Sequence, residues 1–319
     1  MEYVCCKLCG ADNTKLLFIA KERDWGTEEF FNIVRCNKCN LVYINPRPSK
    51  EELSKYYPEQ YYAFEDEDPG AYVRRKKAGE DILRFVGYPT QTKTGGVRIL
   101  DVGSGKGLFL SVMKELGFEN FGVELSPIAV DFASKNYGVN VFNGELEQAN
   151  FSDEYFDLVT MWQVLEHLLN PFESLQEIFR ILKKNGLLII AVPNFSSFQA
   201  QIFRDKWYPL DVPRHLYQFE PGTLKKMLSI AGFKIIKIEH FNHFINFVVL
   251  KKSILNLLLK AERPGGKKFT SQVIDMQRKD FRRQVLKGLL DGTSFLFSEL
   301  ENLLGFGGTI KVYARKEES

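Results

Sequence analysis

The sequence lacks cysteine after residue 39, and it has only four histidines among 319 residues. Charge of one sign is also lacking, because 43 lysines and arginines against 40 acidic residues leave a net charge of +3. So small an imbalance argues against nucleic acid as a partner. No apolar run reaches the roughly 18 residues of a membrane span, and no signal sequence opens the chain. We therefore expect a cytoplasmic protein.

All five cysteines lie in the first 39 residues, and four of them form two C-x-x-C pairs: Cys6 with Cys9, and Cys36 with Cys39. Two such pairs are the ligand set of a tetrahedral zinc ribbon. Disulfides or free thiols are the alternative, and a reducing compartment disfavours disulfides. Four thiolates leave no open position on the metal, so we expect the zinc to be structural. Cys5 is either a spare thiol or a replacement for Cys6.

Residues 97–107 are predicted to form an apolar strand that runs into a turn with glycines at alternate positions, Gly103, Gly105 and Gly107. A helix follows from residue 108, which places the turn at a helix N-terminus, where a ligand can approach the backbone closely. A dinucleotide fingerprint would need its third glycine where Leu108 stands. Asp101 precedes the turn, and an acid there suits a positively charged ligand better than phosphates.

The segment Asp101-Val-Gly-Ser-Gly-Lys-Gly107 resembles motif I of the class I S-adenosylmethionine (SAM) methyltransferases. This resemblance implies an α/β fold with a Rossmann-like, doubly wound, seven-stranded sheet. It also implies that Glu124, at the end of the second strand, accepts the ribose hydroxyls, and that Glu145, after the third, meets the adenine amine. The cofactor-binding residues expected on this basis are Asp101, Gly103, Ser104, Gly105, Gly107, Glu124, Leu125, Glu145, Leu146 and Gln163.

Candidate catalytic residues follow the fourth and fifth strands. Glu166 and His167 are similar to the Glu-His pair of ubiquinone-type O-methyltransferases, in which a further Glu completes a divalent metal site. Gln163, a poorer ligand, stands at the corresponding earlier position. His215 resembles a histidine that many relatives carry after strand five, facing the substrate. Either histidine is a candidate general base, and the alternative is that each caps a helix or anchors a loop.

The chain is predicted to have five parts. The zinc ribbon and the tyrosine-rich segment 56–62 together resemble the N-terminal region of bacterial methyltransferases that modify sugars and other small metabolites. The tyrosines either line the active site or pack a helix onto the core. The parts are a ribbon at 1–45, a linker with N-terminal helices at 46–96, a SAM-binding core at 97–240, a helical insertion at 241–306, and a final core strand and tail at 307–319.

About 65 residues separate the sixth strand from the last one, which has the alternating pattern of an edge strand. Two interpretations of this insertion compete. It is a helical lid or homodimer contact, or residues 244–290 lie on a membrane surface with their lysines toward anionic lipid.

The predicted function is a SAM-dependent methyltransferase with a small-molecule acceptor, in particular a hydroxyl of a sugar, a glycan or a lipid-linked intermediate. A SAM-binding regulatory or scaffold protein that transfers nothing is one alternative. A nicotinamide-dependent oxidoreductase is the other, disfavoured by Leu108.

Overall fold

A computed structural model describes residues 1–23, 27–58, 70–87, 96–240, 243–258, 301 and 306–317. Eleven strands and eight α-helices are described in this part of the chain. The strands are β1 (Thr14–Lys21), β2 (Phe30–Cys36), β3 (Val42–Ile44), β4 (Arg98–Val102), β5 (Glu119–Glu124), β6 (Asn140–Asn143), β7 (Phe156–Trp162), β8 (Leu182–Pro193), β9 (Tyr217–Gln218), β10 (Phe233–Glu239) and β11 (Thr309–Lys316). The helices are α1 (Lys50–Leu53), α2 (Ala71–Val86), α3 (Leu108–Glu115), α4 (Pro127–Tyr137), α5 (Pro171–Ile181), α6 (Phe198–Phe203), α7 (Pro221–Ile230) and α8 (His243–Leu258).

The larger sheet has seven strands in the order β10-β11-β8-β7-β4-β5-β6. The five strands from β8 to β6 are parallel, and β11 is antiparallel to both of its neighbours. This arrangement confirms the predicted Rossmann-like, doubly wound fold. In such a sheet the carboxyl ends of the parallel strands meet at one edge, where ligands bind.

The last strand is not an edge strand, so that prediction was wrong. β11 lies between β8 and β10, and Val312 is paired with Ile190 on one side and Ile238 on the other. The alternation was misleading because the second face of β11 is also covered: Tyr313 is 2% exposed, and its ring lies 4.5 Å from that of Phe85 in α2. The edge strand on this side of the sheet is β10 instead, and β6 is the edge strand on the other side.

Helix and strand boundaries around the fifth parallel strand also differ from the expectation. α5 ends at Ile181 rather than near residues 185–186, and β8 begins at Leu182 rather than Leu187. Asn185 takes a φ of +59° inside β8, next to a register shift in the pairing with β7. Asn170 precedes α5 as expected, but its side chain makes no capping hydrogen bond. The predicted capping box of Ser49 and Glu52 at α1 is present.

A second, four-stranded sheet has the order β1-β2-β3-β9. Its first three strands come from the cysteine-containing segment, whereas β9 belongs to the loop region after β8. Tyr43 pairs with Tyr217, and the N–H of Ile44 donates to the carbonyl of Leu216 at 3.0 Å. The hydrophobic core is continuous from the ribbon strands into the large sheet. The ribbon is therefore packed directly on the loop that carries His215.

The insertion begins with α8, which packs on the segment between α6 and β9. The ammonium of Lys252 lies 2.8 Å from the Tyr208 hydroxyl, and Ser253 is fully buried with its Oγ accepting from the Tyr208 N–H at 2.9 Å. Among the described residues, no helix has the length and apolar character needed to cross a bilayer. The basic stretch 267–287 and the tyrosines at 61 and 62 lie outside the described residues.

Candidate active site

The glycine turn between β4 and α3 is held against two neighbouring protein surfaces. Gly103 has a φ of +70°, and a Cβ there would lie 2.5 Å from Cγ2 of Val164. Gly107 has a φ of +79°, and its Cβ would lie 2.8 Å from that of Ala133. Glycine is required at both positions by backbone conformation and by protein neighbours. The contact with Val164 also brings the loop after β7 directly against the turn.

Glu124 closes the turn from the neighbouring strand. One of its carboxylate oxygens accepts the N–H of Gly105 at 2.9 Å, and the other accepts the N–H of Ser126 at 2.9 Å. Each oxygen retains a second lone pair, so the carboxylate can still accept hydroxyl donors from a ligand. Glu124 is 7% exposed, which means that its position is fixed before any ligand binds.

Asp101 lies deeper, within β4. It is 2% exposed, and Thr160 of β7 donates a hydroxyl hydrogen bond to its carboxylate at 2.6 Å. Burial raises the pKa of Asp101 to about 7, against the opposing effect of the Thr160 hydrogen bond. A positively charged ligand group at this strand end would favour the ionised carboxylate.

The remaining predicted cofactor residues lie at the ends of β6 and β7, or just after β5. Glu145 is partly exposed and forms an ion pair with Lys50 at 2.6 Å, so its carboxylate already has a protein partner. Leu146 is buried, whereas Leu125 is 61% exposed and offers an apolar face beside Glu124. Gln163 has a φ of +58°.

A polar ligand fits this edge of the sheet. The hydroxyl of Ser104 and the side-chain Nε2 of Gln163 are buried without a hydrogen-bond partner among the described residues. Buried polar groups in native proteins normally have a partner, so such orphans point to a bound molecule or water. Together with the glycine turn and Glu124, they make this edge of the sheet a candidate ligand site.

Glu166, His167 and His215 come together in one buried cluster. One side-chain donor atom of each residue lies within 4.8 Å of the others. The two imidazole rings meet edge to face, with centroids 4.4 Å apart. His167 belongs to the helical turn Leu165–His167 that follows β7, and His215 comes from the loop before β9. The three predicted catalytic residues are therefore neighbours, although about 50 residues separate the histidines in the sequence.

Backbone carbonyls orient both rings. Nδ1 of His167 lies 3.1 Å from the carbonyl oxygen of Arg214 and 2.8 Å from the hydroxyl of Tyr57. Nδ1 of His215 lies 2.7 Å from the carbonyl oxygen of Pro209. The carbonyl of Pro209 only accepts, so in the neutral His215 ring Nδ1 carries the hydrogen and Nε2 carries the lone pair. Nδ1 of His167 faces both a carbonyl and a hydroxyl that can donate.

Burial controls the charge of this cluster. It raises the pKa of Glu166 to about 8, with the nearby Asp211 carboxylate acting in the same direction. It lowers the pKa of His167 to about 3, with His215 acting in the same direction. His167 is consequently neutral at physiological pH.

Three residues near this cluster were not among the predicted site residues. The segment containing Tyr57 was singled out for its tyrosines, but its contact with His167 could not be inferred. Asp211 and Arg214 are spaced i,i+3 and are joined by an ion pair, with Nε of Arg214 3.1 Å from a carboxylate oxygen. The same carboxylate oxygen of Asp211 lies 3.7 Å from Nε2 of His215. The spacing of Asp211 and Arg214 was the one available signal.

The four cysteines of the two C-x-x-C pairs form a second cluster, in the ribbon. The Sγ atoms of Cys6 and Cys39 are 3.3 Å apart, and those of Cys9 and Cys36 are 3.5 Å apart. A tetrahedral zinc site with Zn–S bonds of about 2.3 Å has sulfur separations of about 3.8 Å, so the cluster fits the ion. Cys5 is exposed and is not a member of the group.

Arg47 connects the ribbon to the active-site loops. It is 5% exposed, and its Nη1 donates to the carbonyl of Leu169 at 2.7 Å and to the Tyr217 hydroxyl at 3.0 Å. Its Nε donates to Glu2 at 2.8 Å. Leu169 follows His167 by two residues, and Tyr217 follows His215 by two residues. One buried guanidinium thus holds both histidine-bearing loops.

Fold, glycine turn and strand-end acids together define a SAM-dependent methyltransferase. Residues 71–238 match the family described as "Methyltransferase domain", and the chain belongs to this family. The family assignment, with Leu108 as the first residue of α3, rejects the nicotinamide-dependent alternative.

Two curated relatives are O-methyltransferases. The chain is 28% identical to a ubiquinone biosynthesis O-methyltransferase of Maricaulis maris, over 54% of this chain and 73% of that one. It is 36% identical to the mitochondrial ubiquinone biosynthesis O-methyltransferase of Schizosaccharomyces pombe, over 30% of this chain and 38% of that one. Among solved structures, a SAM-dependent methyltransferase from Archaeoglobus fulgidus is 25% identical with a TM-score of 0.50, over 81% of this chain and all of that one.

Proposed function

We propose that this protein transfers the methyl group of SAM to a hydroxyl of a small-molecule acceptor, namely a sugar, a glycan or a lipid-linked intermediate. The observation that carries this proposal is the cluster of Glu166, His167 and His215, which adjoins the glycine turn through Val164. The methyl group of SAM is electrophilic without further activation, so the enzyme mainly aligns the reacting atoms. A hydroxyl acceptor must also lose its proton, and the cluster supplies groups that can take it.

The cofactor site is assigned to the ends of the parallel strands. The carboxylate of Glu124 would accept the ribose hydroxyls with its remaining lone pairs. Asp101 would face the positively charged end of the cofactor. Gln163 and Ser104 would satisfy their buried polar atoms on the bound molecule. Glu145 would meet the adenine amine, which requires it to release or share Lys50.

The catalytic base is assigned to His215 or His167. The His215 ring holds its hydrogen on Nδ1, so its Nε2 is the atom that would accept a proton from the acceptor. His167 resists protonation because burial lowers its pKa to about 3, and the Asp211 carboxylate near Nε2 of His215 favours the second ring as the residue that carries the transferred proton. The Asp211 carboxylate, 3.7 Å from Nε2 of His215, would stabilise the resulting imidazolium.

An oxygen acceptor agrees with the chain's similarity to two ubiquinone biosynthesis O-methyltransferases. The sugar, glycan or lipid-linked class rests on the resemblance of the ribbon and the tyrosine-rich segment to the N-terminal region of sugar-modifying methyltransferases. For the insertion at 241–306 we propose a lid or homodimer contact. The contact of Lys252 with Tyr208 supports this, because it directs a lysine toward protein rather than lipid.

We also propose that Cys6, Cys9, Cys36 and Cys39 bind one structural zinc ion. Their sulfur separations are close to those of a tetrahedral thiolate site. The ribbon at residues 1–45 is too short to build a large core of its own, and a bound metal would supply the missing stability.

The test combines cofactor binding with a product-detecting assay. Calorimetric titration should show one SAM per chain, and mass spectrometry should detect a methylated product from one member of a panel of nucleotide sugars, lipid-linked glycans and phenolic quinone precursors. His215→Gln should retain SAM binding and lose turnover by about 100-fold or more, the contribution typical of a general base.

Glu239→Gln is the matched control, since Glu239 lies at the end of the edge strand β10, outside the cofactor and histidine clusters. It should leave both quantities unchanged. SAM binding without methyl transfer to any member of the panel would instead support the regulatory or scaffold alternative. A methylated nitrogen or carbon would refute the hydroxyl acceptor.

A further inference from the structure

We propose that Tyr57 is a positioning residue: its hydroxyl orients the ring of His167 and, through that ring, the ring of His215. The catalytic part of this role rests on the proposed function, in which one of the two histidines takes the proton of the acceptor. The hydrogen bond between Tyr57 and His167 can be measured without SAM or a methyl acceptor.

The first two tyrosines of the segment 56–62 have different environments. Tyr56 is 1% exposed, and its ring meets that of Phe31 in β2 edge to face, with centroids 6.1 Å apart. Tyr57 is only partly buried, and its hydroxyl lies 2.8 Å from Nδ1 of His167. Adjacent residues thus divide the two roles that were open for these tyrosines: Tyr56 packs on the core, and Tyr57 contacts the histidine cluster.

The backbone of Tyr57 is anchored on the ribbon. Residues Ser54–Tyr56 form a 3₁₀ turn, and the N–H of Tyr57 closes it by donating to the first carbonyl of the turn at 3.1 Å. The Tyr56 hydroxyl donates to a carboxylate oxygen of Glu29 at 2.6 Å, and the ammonium of Lys55 donates to the other oxygen at 2.8 Å. Glu29 directly precedes β2, so this carboxylate holds the turn against the first hairpin of the ribbon. The Tyr57 hydroxyl is therefore placed by protein contacts alone.

The ring of His167 needs such a contact to have one orientation. The torsion that rotates a histidine ring has a broad energy minimum, so hydrogen bonds and packing must set its angle. Nδ1 of His167 lies 2.8 Å from the Tyr57 hydroxyl and 3.1 Å from the carbonyl oxygen of Arg214, which is the longer of the two contacts. The rings of Tyr57 and His167 also meet edge to face, with centroids 6.2 Å apart. Two segments that are distant in sequence thus determine the direction of Nδ1.

The orientation of His167 determines the space available to His215. Their ring centroids are 4.4 Å apart in an edge-to-face contact, at the close end of the range for such pairs. In a close-packed interior neither ring can rotate without displacing the other. His215 is held by the carbonyl of Pro209 at Nδ1 only, 2.7 Å away, so rotation of His167 would move the Nε2 atom that faces the acceptor. Loss of the Tyr57 hydroxyl should therefore misalign the base without removing any group that binds SAM.

The first test is nuclear magnetic resonance of the full chain labelled with ¹⁵N in its histidines. The chain has only four histidines, and His240→Gln and His243→Gln identify the signals of the two outside the cluster. Burial lowers the pKa of His167 to about 3, so its ring is neutral at pH 7 and its two nitrogens give distinct signals. Tyr57→Phe keeps the ring and removes one oxygen atom. It should shift the Nδ1 signal of His167 and, to a smaller extent, the signals of His215, while those of His240 and His243 stay in place.

The second test is kinetic and uses the acceptor found in the product assay. Tyr57→Phe should lower kcat by about tenfold or more, because a displacement of about 1 Å in a catalytic group costs about 100-fold. KM for the acceptor and the SAM dissociation constant should change by less than about threefold, since the hydroxyl orients a base and binds neither ligand. The matched control is Tyr72→Phe, which removes a hydroxyl bonded to Glu115 at the C-terminal end of α3. It should behave like the wild type in both tests, and SAM affinity reports whether each variant is folded.

Unchanged His167 signals in Tyr57→Phe overturn the contact, and unchanged kcat overturns the positioning role. A raised KM at constant kcat also overturns it, because Tyr57 would then bind the acceptor, as do equal losses of kcat in Tyr57→Phe and Tyr72→Phe. Shifted His167 signals in Tyr57→Phe, with no methyl transfer by the wild type to any acceptor, contradict the proposed function and leave the contact standing.

Discussion

Removal of metal from the ribbon is expected to abolish turnover while SAM binding survives. The perturbation is Cys9→Ser, or chelation of the wild-type protein. Strand β3 of the ribbon pairs with β9, and the N–H of Ile44 is bonded to the carbonyl of Leu216, the residue after His215. The glycine turn and Glu124, by contrast, are held by strands of the large sheet.

The size of the effect follows from burial. The side chains of residues 41–44 are each at most 1% exposed, and they pack in the same core as the large sheet. A fully buried apolar side chain contributes about 1.5–3 kcal/mol, so even partial loss of this packing would release β9 and the loop of His215 while the large sheet stays folded. The Arg47 hydrogen bonds to Leu169 and Tyr217 would be lost as well. A displacement of about 1 Å in a catalytic group costs about 100-fold in rate, so turnover should fall by at least that factor.

Three measurements check this prediction. Calorimetric SAM titration should show a dissociation constant changed by less than about threefold, because the cofactor cradle is outside the ribbon. Limited proteolysis should cleave within residues 1–45 only after metal loss. Turnover with the identified acceptor should fall as stated.

Cys5→Ser is the matched control, because Cys5 is exposed and lies beside the cluster without belonging to it. It should behave like the wild type in all three assays. The reasoning would be refuted by loss of SAM affinity in step with zinc at equal core stability, or by unchanged turnover in Cys9→Ser.

Two further predictions concern the stability of the folded protein. Gly103→Ala should lower the free energy of unfolding by about 2–4 kcal/mol in urea titration, because it combines a positive φ with a clash against Val164. Gly87→Ala is the control: Gly87 has a φ of +80° and no atom within 4 Å of the added Cβ, so this change should cost only the backbone strain of about 1–2 kcal/mol. Equal losses in the two variants would contradict the clash. Zinc-loaded wild-type protein without other divalent ions should lose about 2 kcal/mol of stability relative to Glu166→Gln between pH 6.5 and 8. Burial raises the pKa of Glu166 to about 8 in the folded protein, so the proton that stabilises the folded state is lost as pH rises through this window. His167 does not contribute, because its pKa of about 3 lies below the window. Parallel pH profiles of stability for the two proteins would disprove this prediction.

The fold and the glycine turn could be predicted because their determinants are local. A strand followed by alternate glycines and a helix specifies its own conformation, and the acids at the strand ends are brought together by parallel pairing alone. Glu124, for example, pairs in register with Asn143, which precedes Glu145 by two residues in the sequence. The interior position of β11 was missed because alternation reports how one strand is covered, and the covering residue Phe85 comes from a distant helix.

Each residue of the histidine cluster could be named as a candidate from the sequence, but the contact between the two histidines could not be predicted. His167 and His215 belong to different loops, and their contact depends on Arg47 and β9, which are contributed by a third part of the chain. No spacing rule links these segments, because their contacts join parts of the chain that are distant in sequence and follow no period. The orphaned carboxylate of Glu166 is visible only once burial and partners are known.

The two halves of the site therefore have different physical supports. The proposed cofactor residues lie on the large sheet or just after its strands, which pair continuously from β4 to β6. The acceptor-side loops have little sheet pairing of their own: β9 contributes two residues, and its described partner is a ribbon strand. Stability of the ribbon is consequently coupled to the geometry of His215 and only weakly to the SAM cradle. This separation predicts that variants of the ribbon will change turnover before they change cofactor affinity, and variants of the glycine turn will do the reverse.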